Sequence, residues 1–286
     1  MPDGVRRYGE WLRWGREQLR AAGGEDATPD LDAAVLLAHA MGMTRAALYA
    51  RFPDVTPADQ IAHYRDLIAG RMGGTPVAYL TGEREFLGLD FAVSPAVLVP
   101  RPETELLVEW AARWCAAHPA ACSAVDVGTG SGAIAVGLAH LVPALTVTAC
   151  DVSQQALAIA ATNATRHGVR DRVRFVRGDL LAWLWVSVPL VLANLPYLTD
   201  VQSDSPQLAA EPRLALAGGD TDGLALYRRL IPQVANCLAP GGAFACEIDP
   251  AQAETTFWLC RAMFPAKTVT VHNDLAGLPR FVTAQD

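Results

Sequence analysis

Four residues that could do chemistry follow the apolar segment 190–193, which predicts a short buried strand. They are Asn194, Leu195, Pro196 and Tyr197. The Asn194 carboxamide can donate and accept hydrogen bonds, and the Leu195 carbonyl is a second acceptor. Pro196 stiffens the turn before a substrate arrives, and Tyr197 offers a flat face for stacking. Together they could grip a planar amide or amine, although the same residues also suit an ordinary exit from a strand.

A glycine-rich loop lies upstream, between a predicted strand at 124–127 and a helical pattern that follows Ala133. It consists of Gly128, Thr129, Gly130, Ser131 and Gly132. Glycines let a backbone turn sharply and approach a ligand closely, and the N-terminus of a helix presents free N–H groups. The loop therefore predicts a binding site for polar ligand atoms.

Two carboxylates stand near this loop in the sequence. Asp151 ends the predicted strand 145–150, roughly 20 residues past the glycines, where an acid can hold both hydroxyls of a ribose. Asp126 precedes the first glycine and could bind the amino end of an amino-acid-like cofactor. Both positions favour a cofactor that contains a nucleoside.

Two cofactors fit these features. The spacing of Gly128, Gly130 and Ala133 also satisfies the dinucleotide fingerprint, so a nicotinamide dehydrogenase is an alternative. A dinucleotide site usually has an apolar residue where Asp126 stands, and hydride transfer has no obvious use for Asn194 after the fourth predicted strand. S-adenosyl-L-methionine has an adenosine, an amino-acid tail and a sulfonium methyl, and it accounts for both features.

A third pair of residues follows the predicted strand 172–176. Asp179 could accept a hydrogen bond from an adenine amino group, and Leu180 could cover the ring. A plain turn explains the same residues without any ligand.

The elements that must position these residues divide the chain near residue 75. Before it the pattern is helical, with Val5, Tyr8, Leu12 and Leu19 on one face of a first helix. Residues 76–100 predict a hairpin linker. In 101–286, strands and helices alternate, which predicts an α/β domain with an open, mostly parallel sheet and helices on both faces.

The chain resembles the release-factor glutamine methyltransferase (HemK/PrmC) family over nearly its whole length. Besides the loops above, the resemblance is carried by segments 76–86, 97–105, 211–212, 214–216, 218–219, 222–224, 238–242 and 274–277. Each segment alone is weak, but their joint occurrence is specific. In one departure, Leu195 replaces the first proline of the usual Asn-Pro-Pro-Tyr. The resulting tetrapeptide also resembles that of rRNA adenine dimethyltransferases, which keeps an RNA substrate as an alternative.

The resemblance implies a class I S-adenosylmethionine-dependent methyltransferase fold (Rossmann-like), with one antiparallel strand near the edge of its sheet. It implies methylation of the side-chain nitrogen (N5) of the glutamine in the Gly-Gly-Gln loop of class I peptide chain release factors. Residues 194–197 would hold the amide, and the helical segment 1–75 would dock the protein substrate. Alternatives are an exocyclic amino group of RNA or DNA, a ribosomal-protein glutamine, or a binding module without catalysis.

Composition limits the partners of this 286-residue chain. Its net charge of −7 argues against broad binding to a phosphate backbone, so no direct nucleic-acid contact is expected. No apolar run reaches membrane-spanning length and the N-terminus is charged, so we expect a cytoplasmic protein without membrane contact. The six cysteines form no C-x-x-C pair, so we expect reduced thiols and no metal site. We also expect a monomer.

Overall fold

The structure is a computed structural model that describes residues 7–23, 28–121 and 123–286. Val5 and Cys122, assigned above to the first helix and to the reduced thiols, lie outside the described residues. The chain forms two compact units, Met1–Gly82 and Glu83–Asp286.

The first unit is helical. Its helices are α1 (Tyr8–Ala22), α2 (Pro29–Ala40), α3 (Arg45–Ala50), α4 (Ala58–Met72) and α5 (Val77–Thr81). Tyr64 is fully buried in its core, and its hydroxyl donates to the carbonyl of Ala33 across 3.3 Å. A Cβ on Gly15 would lie only 1.9 Å from the Tyr64 hydroxyl, so glycine is what lets α1 approach α4 this closely. Packing in this core therefore depends on the large ring of Tyr64 and on the lack of a side chain at Gly15.

The structure differs from the sequence prediction at the end of this unit. Residues 77–81 form a helix, where a linker hairpin was predicted from residue 76. Pro76 precedes the helix, and Gly82 ends it with φ of 75° in the left-handed region. The boundary between the two units therefore lies after Gly82, whereas the sequence placed it near residue 75.

A hairpin opens the second unit and belongs to it. Strands β1 (Glu83–Phe86) and β2 (Leu89–Ala92) pair antiparallel. Leu87 and Gly88 between them have φ of 53° and 73°, as a two-residue hairpin turn requires. The hairpin is tied to the rest of the unit by Asn163, whose side chain bonds both the N–H (2.7 Å) and the carbonyl (3.0 Å) of Ala92.

The remaining elements alternate as the sequence predicted. They are α6 (Pro102–Ala117), β3 (Ser123–Val127), α7 (Ala133–Leu141), β4 (Thr146–Asp151), α8 (Gln154–Arg166), β5 (Val173–Arg177), β6 (Val188–Ala193), α9 (Asp200–Ser203), α10 (Ala225–Cys237), β7 (Leu238–Glu247), α11 (Ala253–Met263), β8 (Thr268–Asn273) and β9 (Pro279–Gln285). Strand β7 includes the Pro-Gly-Gly segment 240–242.

Within the described residues the large sheet has seven strands, in the order β5-β4-β3-β6-β7-β9-β8. Strands β3 to β7 are parallel, and β9 runs antiparallel to both of its neighbours. Alternate residues of the central strands enter different cores, with Leu190 and Leu192 on one face and Val191 on the other. The predicted α/β class, with one antiparallel strand near the edge, is confirmed.

The described cysteines are buried free thiols. They are Cys115, Cys150, Cys237, Cys246 and Cys260. In the described part of the chain, no cluster of His, Cys, Asp and Glu side chains could hold a metal ion. No helix there is long and apolar enough to cross a lipid bilayer.

Candidate active site

A cavity of about 420 Å³ opens at the carboxyl ends of β3, β4 and β6. This is the edge at which open α/β sheets bind ligands, and the volume is in the range of small-molecule sites. The lining includes the glycine loop, residues 96–98, 100 and 101, and Pro212, Leu214 and Ala215. The glycine loop and the first three residues of the segment 194–197 therefore line the same cavity.

The glycine loop is fixed by backbone bonds to the next strand. The N–H groups of Gly128 and Thr129 both donate to the carbonyl of Cys150, each across 2.9 Å. Gly128 has φ of 77°, and a Cβ there would lie 2.8 Å from the Leu195 side chain. Glycine at this position therefore allows both the turn and the close approach of the segment 194–197.

Asp126 lies behind the loop and is not among the residues that line the cavity. Its Oδ2 accepts from the Thr129 hydroxyl (2.6 Å) and from the N–H of Ala135 (3.1 Å), so it anchors the first turn of α7. Its Oδ1 is buried without a partner among the described residues. Burial raises the pKa of Asp126 to about 7, and Asp151 adds to the rise, whereas the two hydrogen bonds oppose it. Only Oδ1 is left for a cationic ligand group.

Asp151 lines the cavity, as predicted. Its Oδ2 accepts from the N–H of Gly130 (2.9 Å) and its Oδ1 from the N–H of Ser153 (2.8 Å). Burial raises the pKa of this carboxyl above its ordinary value, against the effect of both amides. Each oxygen keeps a free lone pair, so the carboxylate can still accept two hydroxyl groups.

Asp179 and Leu180 also line the cavity. Asp179 forms an ion pair with Arg229 of α10, a cavity residue that the sequence analysis did not find. Leu180 is buried with φ of 50°, and its carbonyl accepts from the Trp183 indole N–H across 2.9 Å. These contacts hold the turn after β5 against the cavity.

The segment 194–197 leaves β6 at the centre of the site. Asn194 lines the cavity, and its Nδ2 donates to the Thr104 hydroxyl across 3.1 Å. Leu195 is buried, and its N–H donates to the Tyr227 hydroxyl across 3.2 Å. Tyr197 is not among the lining residues, and its hydroxyl donates to Glu247 across 3.3 Å.

The backbone of Tyr197 is clamped by the segment 222–224, one of the family-like segments. Gln252 donates to the carbonyls of Tyr197 and Asp222, both across 2.7 Å. Gly223 has φ of 74°, and a Cβ there would lie 2.0 Å from the Tyr197 carbonyl oxygen. Any side chain at 223 would displace the segment 194–197.

Two further residues of the site were not assigned from the sequence, Thr104 and Glu247. The Thr104 hydroxyl donates to Glu247 Oε2 across 2.6 Å. Burial raises the pKa of Glu247 to about 7, and the charge of Glu103 adds to the rise. Hydrogen bonds from Thr104, Tyr197 and Asn194 oppose it. A signal for Glu247 was present in the sequence, because it is an acidic residue at the carboxyl end of an apolar strand.

Another ion pair joins two family-like segments across the mouth of the site. Arg101, which lines the cavity, pairs with Glu211. The second oxygen of Glu211 accepts from the N–H of Val99 across 3.2 Å. The carboxylate of Glu211 is almost fully buried, so it fixes the segment 97–105 beside Pro212.

Most of the predicted site residues therefore meet at one cavity. Those that line it are Gly128, Thr129, Gly130, Ser131, Asp151, Asp179, Leu180, Asn194, Leu195 and Pro196. The other three predicted residues do not line the cavity; they are Asp126, Gly132 and Tyr197. Gly132 has a packing role, because a Cβ there would approach Ala160 of α8 to 3.0 Å.

The chain is similar to known proteins over most of its length. Two family models match the chain, a PrmC N-terminal domain over residues 10–82 and a methyltransferase domain over residues 124–215. The release factor glutamine methyltransferase of Moorella thermoacetica is 40% identical over 272 residues, which are 93% of this chain and 94% of that protein. The enzyme of the same name from Bordetella pertussis is 43% identical over 257 residues, or 88% of this chain and 93% of that protein.

The chain belongs to the release factor glutamine methyltransferase family. It is therefore a methyltransferase, and the nicotinamide dehydrogenase alternative is wrong. The first family model ends at Gly82, at the boundary between the two units.

Solved structures share the fold of the family. The hMettl16 catalytic domain aligns with a TM-score of 0.57 at 15% identity, over 73% of this chain and 80% of that chain. A methyltransferase from Pyrococcus furiosus aligns with a TM-score of 0.50 at 17% identity, over 69% of this chain and 89% of that one. At these identities the likeness concerns the fold alone.

Proposed function

We propose that this methyltransferase transfers a methyl group from S-adenosyl-L-methionine to the side-chain amide nitrogen (N5) of a glutamine. The glutamine is that of the Gly-Gly-Gln loop in class I peptide chain release factors, so the protein acts in translation termination. The observation that carries the proposal is the position of Asn194, which lines the same cavity as the glycine loop and Asp151. An amide-binding group and a nucleoside-binding group thus face one space.

The residues present suit this cofactor. Asp151 has a free lone pair on each oxygen, so it could accept hydrogen bonds from both ribose hydroxyls. Asp179 also lines the cavity and could accept a hydrogen bond from the adenine amino group. Asp126 Oδ1 is a buried acceptor without a partner among the described residues. It could accept a hydrogen bond from the ammonium group of the cofactor. When bound, S-adenosylmethionine supplies an electrophilic methyl group on sulfur.

The protein contributes positioning and charge stabilisation. A glutamine nitrogen is a poor nucleophile, because its lone pair is delocalised into the carbonyl. Asn194 Oδ1 and the Leu195 carbonyl would each accept one amide hydrogen and so orient the nitrogen toward the methyl group. Positioning of this kind supplies several kcal/mol of a barrier, on the order of 7 in favourable cases. The two acceptors also stabilise the positive charge that develops on nitrogen during transfer.

The helical unit would contribute to recognition of the protein substrate. Its described helices carry none of the residues that line the cavity. A separate unit that takes no part in the site suits docking of a large substrate. The expected cytoplasmic location and monomeric state belong to this proposal and stay predictions.

The test is to incubate the protein with methyl-labelled S-adenosylmethionine and a class I release factor, and to locate the label by mass spectrometry of peptides. We expect label on the Gly-Gly-Gln glutamine and none on a release factor in which that glutamine is replaced by glutamate. A ribosomal-protein preparation and total RNA serve as competing substrates. Preferential labelling of either one would overturn the proposed substrate.

A further inference from the structure

The Asn194 carboxamide belongs to a chain of hydrogen bonds that starts at a buried carboxylate. Thr104, in the first turn of α6, and Glu247, the last residue of β7, are 4% and 3% exposed. The Thr104 hydroxyl lies 2.6 Å from Glu247 Oε2 and 3.1 Å from Asn194 Nδ2. The sheet brings Asn194 and Glu247 close together, because they directly follow Ala193 and Cys246, which are register partners in β6 and β7.

The number of protons fixes the direction of this chain. An ionised carboxylate only accepts hydrogen bonds, so the single hydroxyl proton of Thr104 goes to Glu247. The Thr104 oxygen then has only lone pairs left for Asn194. The end of the Asn194 carboxamide that faces Thr104 must therefore be the NH₂ group, and Oδ1 is left for another donor. With the carboxamide turned over, two oxygens would face each other.

We propose that Glu247, acting through Thr104, is a positioning residue that fixes which end of the Asn194 carboxamide faces the substrate. This rests on the proposed function, in which Asn194 Oδ1 accepts a hydrogen of the substrate amide. In the reversed orientation the NH₂ group of Asn194 would face the NH₂ group of the substrate, and neither could accept. The orientation of one amide thus decides whether the site can hold a glutamine nitrogen.

The second oxygen of Glu247 serves the same segment. Its Oε1 accepts from the Tyr197 hydroxyl across 3.3 Å, so one carboxylate holds both ends of the segment 194–197. A buried charge is costly, and packed apolar side chains in its place are often as stable or more so. The buried carboxylate at the end of β7 is therefore better suited to orienting its partners than to adding stability.

Protonation of Glu247 would release the constraint, because a neutral carboxyl group can donate to Thr104 and so reverse the direction of the hydrogen bonds.

The ionisable groups around Glu247 are Glu103 of α6, which pairs with Arg280 of β9 at 3.6 Å, and the hydroxyls of Tyr197 and Tyr227. Arg101 and Asp249 act on Tyr197. Burial raises the pKa of both tyrosines, so they stay neutral near pH 7. Asp126 also titrates near pH 7, but it lies at the cofactor side of the site.

The test compares Thr104→Val with Thr104→Ser in single-turnover methyl transfer at saturating S-adenosylmethionine. Valine has the shape of threonine without the hydroxyl, and serine keeps the hydroxyl. Misplacement of a reacting group by an ångström costs roughly 100-fold, so we expect Thr104→Val to slow transfer about 10- to 100-fold. Thr104→Ser should restore most of the rate, and cofactor affinity by calorimetry should stay unchanged in both variants.

Thr256→Val is the matched control. Thr256 is fully buried in α11, and its hydroxyl has no hydrogen-bond partner among the described residues. Loss of that hydroxyl should leave transfer unchanged. A second variant, Glu247→Gln, addresses the carboxylate directly. We expect the transfer rate of the wild-type protein to fall as the pH drops below about 7 at saturating cofactor, and we expect Glu247→Gln to be slower and to lack this fall.

The outcomes separate the inference from the function on which it rests. If Thr104→Val transfers as fast as Thr104→Ser while Asn194→Ala is inactive, the positioning role is overturned and the proposed function stands. A pH profile that is identical in Glu247→Gln and in the wild-type protein would overturn the positioning role as well. If Asn194→Ala itself retains full activity, the proposed function and the inference both fail.

Discussion

Thr104 Oγ1 lies 2.6 Å from Glu247 Oε2, although 143 residues separate the two positions in the chain. The first turn of α6 and the carboxyl end of β7 thereby meet directly beside Asn194. Asn194 thus rests on two regular elements rather than on its own loop alone. A site held by packed elements keeps its geometry more rigidly than one held by loop contacts, and geometry is what amide methylation demands.

The segment 194–197 gives the most direct prediction. Asn194→Ala should abolish methyl transfer while the fold is retained, because it removes the side-chain acceptor that orients the amide. Tyr197→Phe should keep substantial activity, because it keeps the ring and loses only the hydroxyl that donates to Glu247. Tyr197→Ala should be inactive. Single-turnover transfer to the release-factor glutamine measures all three, and near wild-type rates for Asn194→Ala would refute the site.

Leu195→Pro restores the proline that is usual in the family, and the sequence alone predicts that it is tolerated. The structure adds a cost, because the buried Leu195 N–H donates to the Tyr227 hydroxyl. Proline removes that donor, so we expect the free energy of unfolding to fall by about 0.5–1.5 kcal/mol. Transfer should continue, since the carbonyl acceptor remains. Urea unfolding gives the first quantity, and loss of transfer without loss of stability would contradict the expected role of the carbonyl.

Cofactor binding should depend on Asp151. Asp151→Ala should weaken S-adenosylmethionine by roughly 1–3 kcal/mol, because the ribose hydroxyls lose a charged acceptor. Part of the loss comes from the glycine loop, whose Gly130 N–H is also bonded to this carboxylate. Calorimetry should show no effect of Asp171→Ala, an exposed carboxylate of the same unit. Equal affinity of the Asp151→Ala and wild-type proteins would remove Asp151 from the site.

The two buried carboxyl groups predict the effect of pH on stability. Asp126 and Glu247 have pKa values raised to about 7, above roughly 4 in an unfolded chain. The folded protein therefore binds protons that the unfolded chain has released, so this stability is fully present below about pH 4 and is lost as the pH rises through about 7. The hydrogen bonds from Arg228 lower the pKa of Asp222, a partly exposed carboxyl, to about 2, so it titrates well below this window.

The measurement is urea unfolding of the cofactor-free protein between pH 5.5 and pH 8. We expect the free energy of unfolding to decrease over this range, and Asp126→Asn to reduce the decrease because an amide does not titrate. S-adenosylmethionine should offset the decrease, since its ammonium group would pair with ionised Asp126. Stability that increases with pH in the cofactor-free protein would show that neither group is held in its neutral form.

The role of the helical unit can be tested by removing residues 1–82, up to the boundary between the units. Cofactor affinity should be retained, since the residues that line the cavity all belong to the second unit. Activity on an intact release factor should fall much more than activity on a short Gly-Gly-Gln peptide. Equal losses on the two substrates would contradict a docking role.

The sequence alone predicted the alternating elements of the second unit and a set of residues that the structure brings to one cavity. Alternation of strands and helices predicted the sheet, and glycines before a helix predicted the loop at its end. Asn194, Asp151 and the glycine loop were predicted from their places at strand ends, and parallel strands bring such ends to one edge. Local pattern is enough for these features, because strand periodicity and turn glycines are properties of neighbouring residues.

Only the tertiary structure decided what stands behind those residues. Asp126 anchors α7 from behind the loop, which its spacing from Gly128 could not reveal. Thr104 and Glu247 became part of the site through the register of β6 with β7 and the position of α6. The contact between Thr104 and Glu247 joins positions 143 apart in the chain, and its geometry depends on how whole elements pack. No local pattern in the chain encodes that packing, so the supporting residues emerged only with the fold.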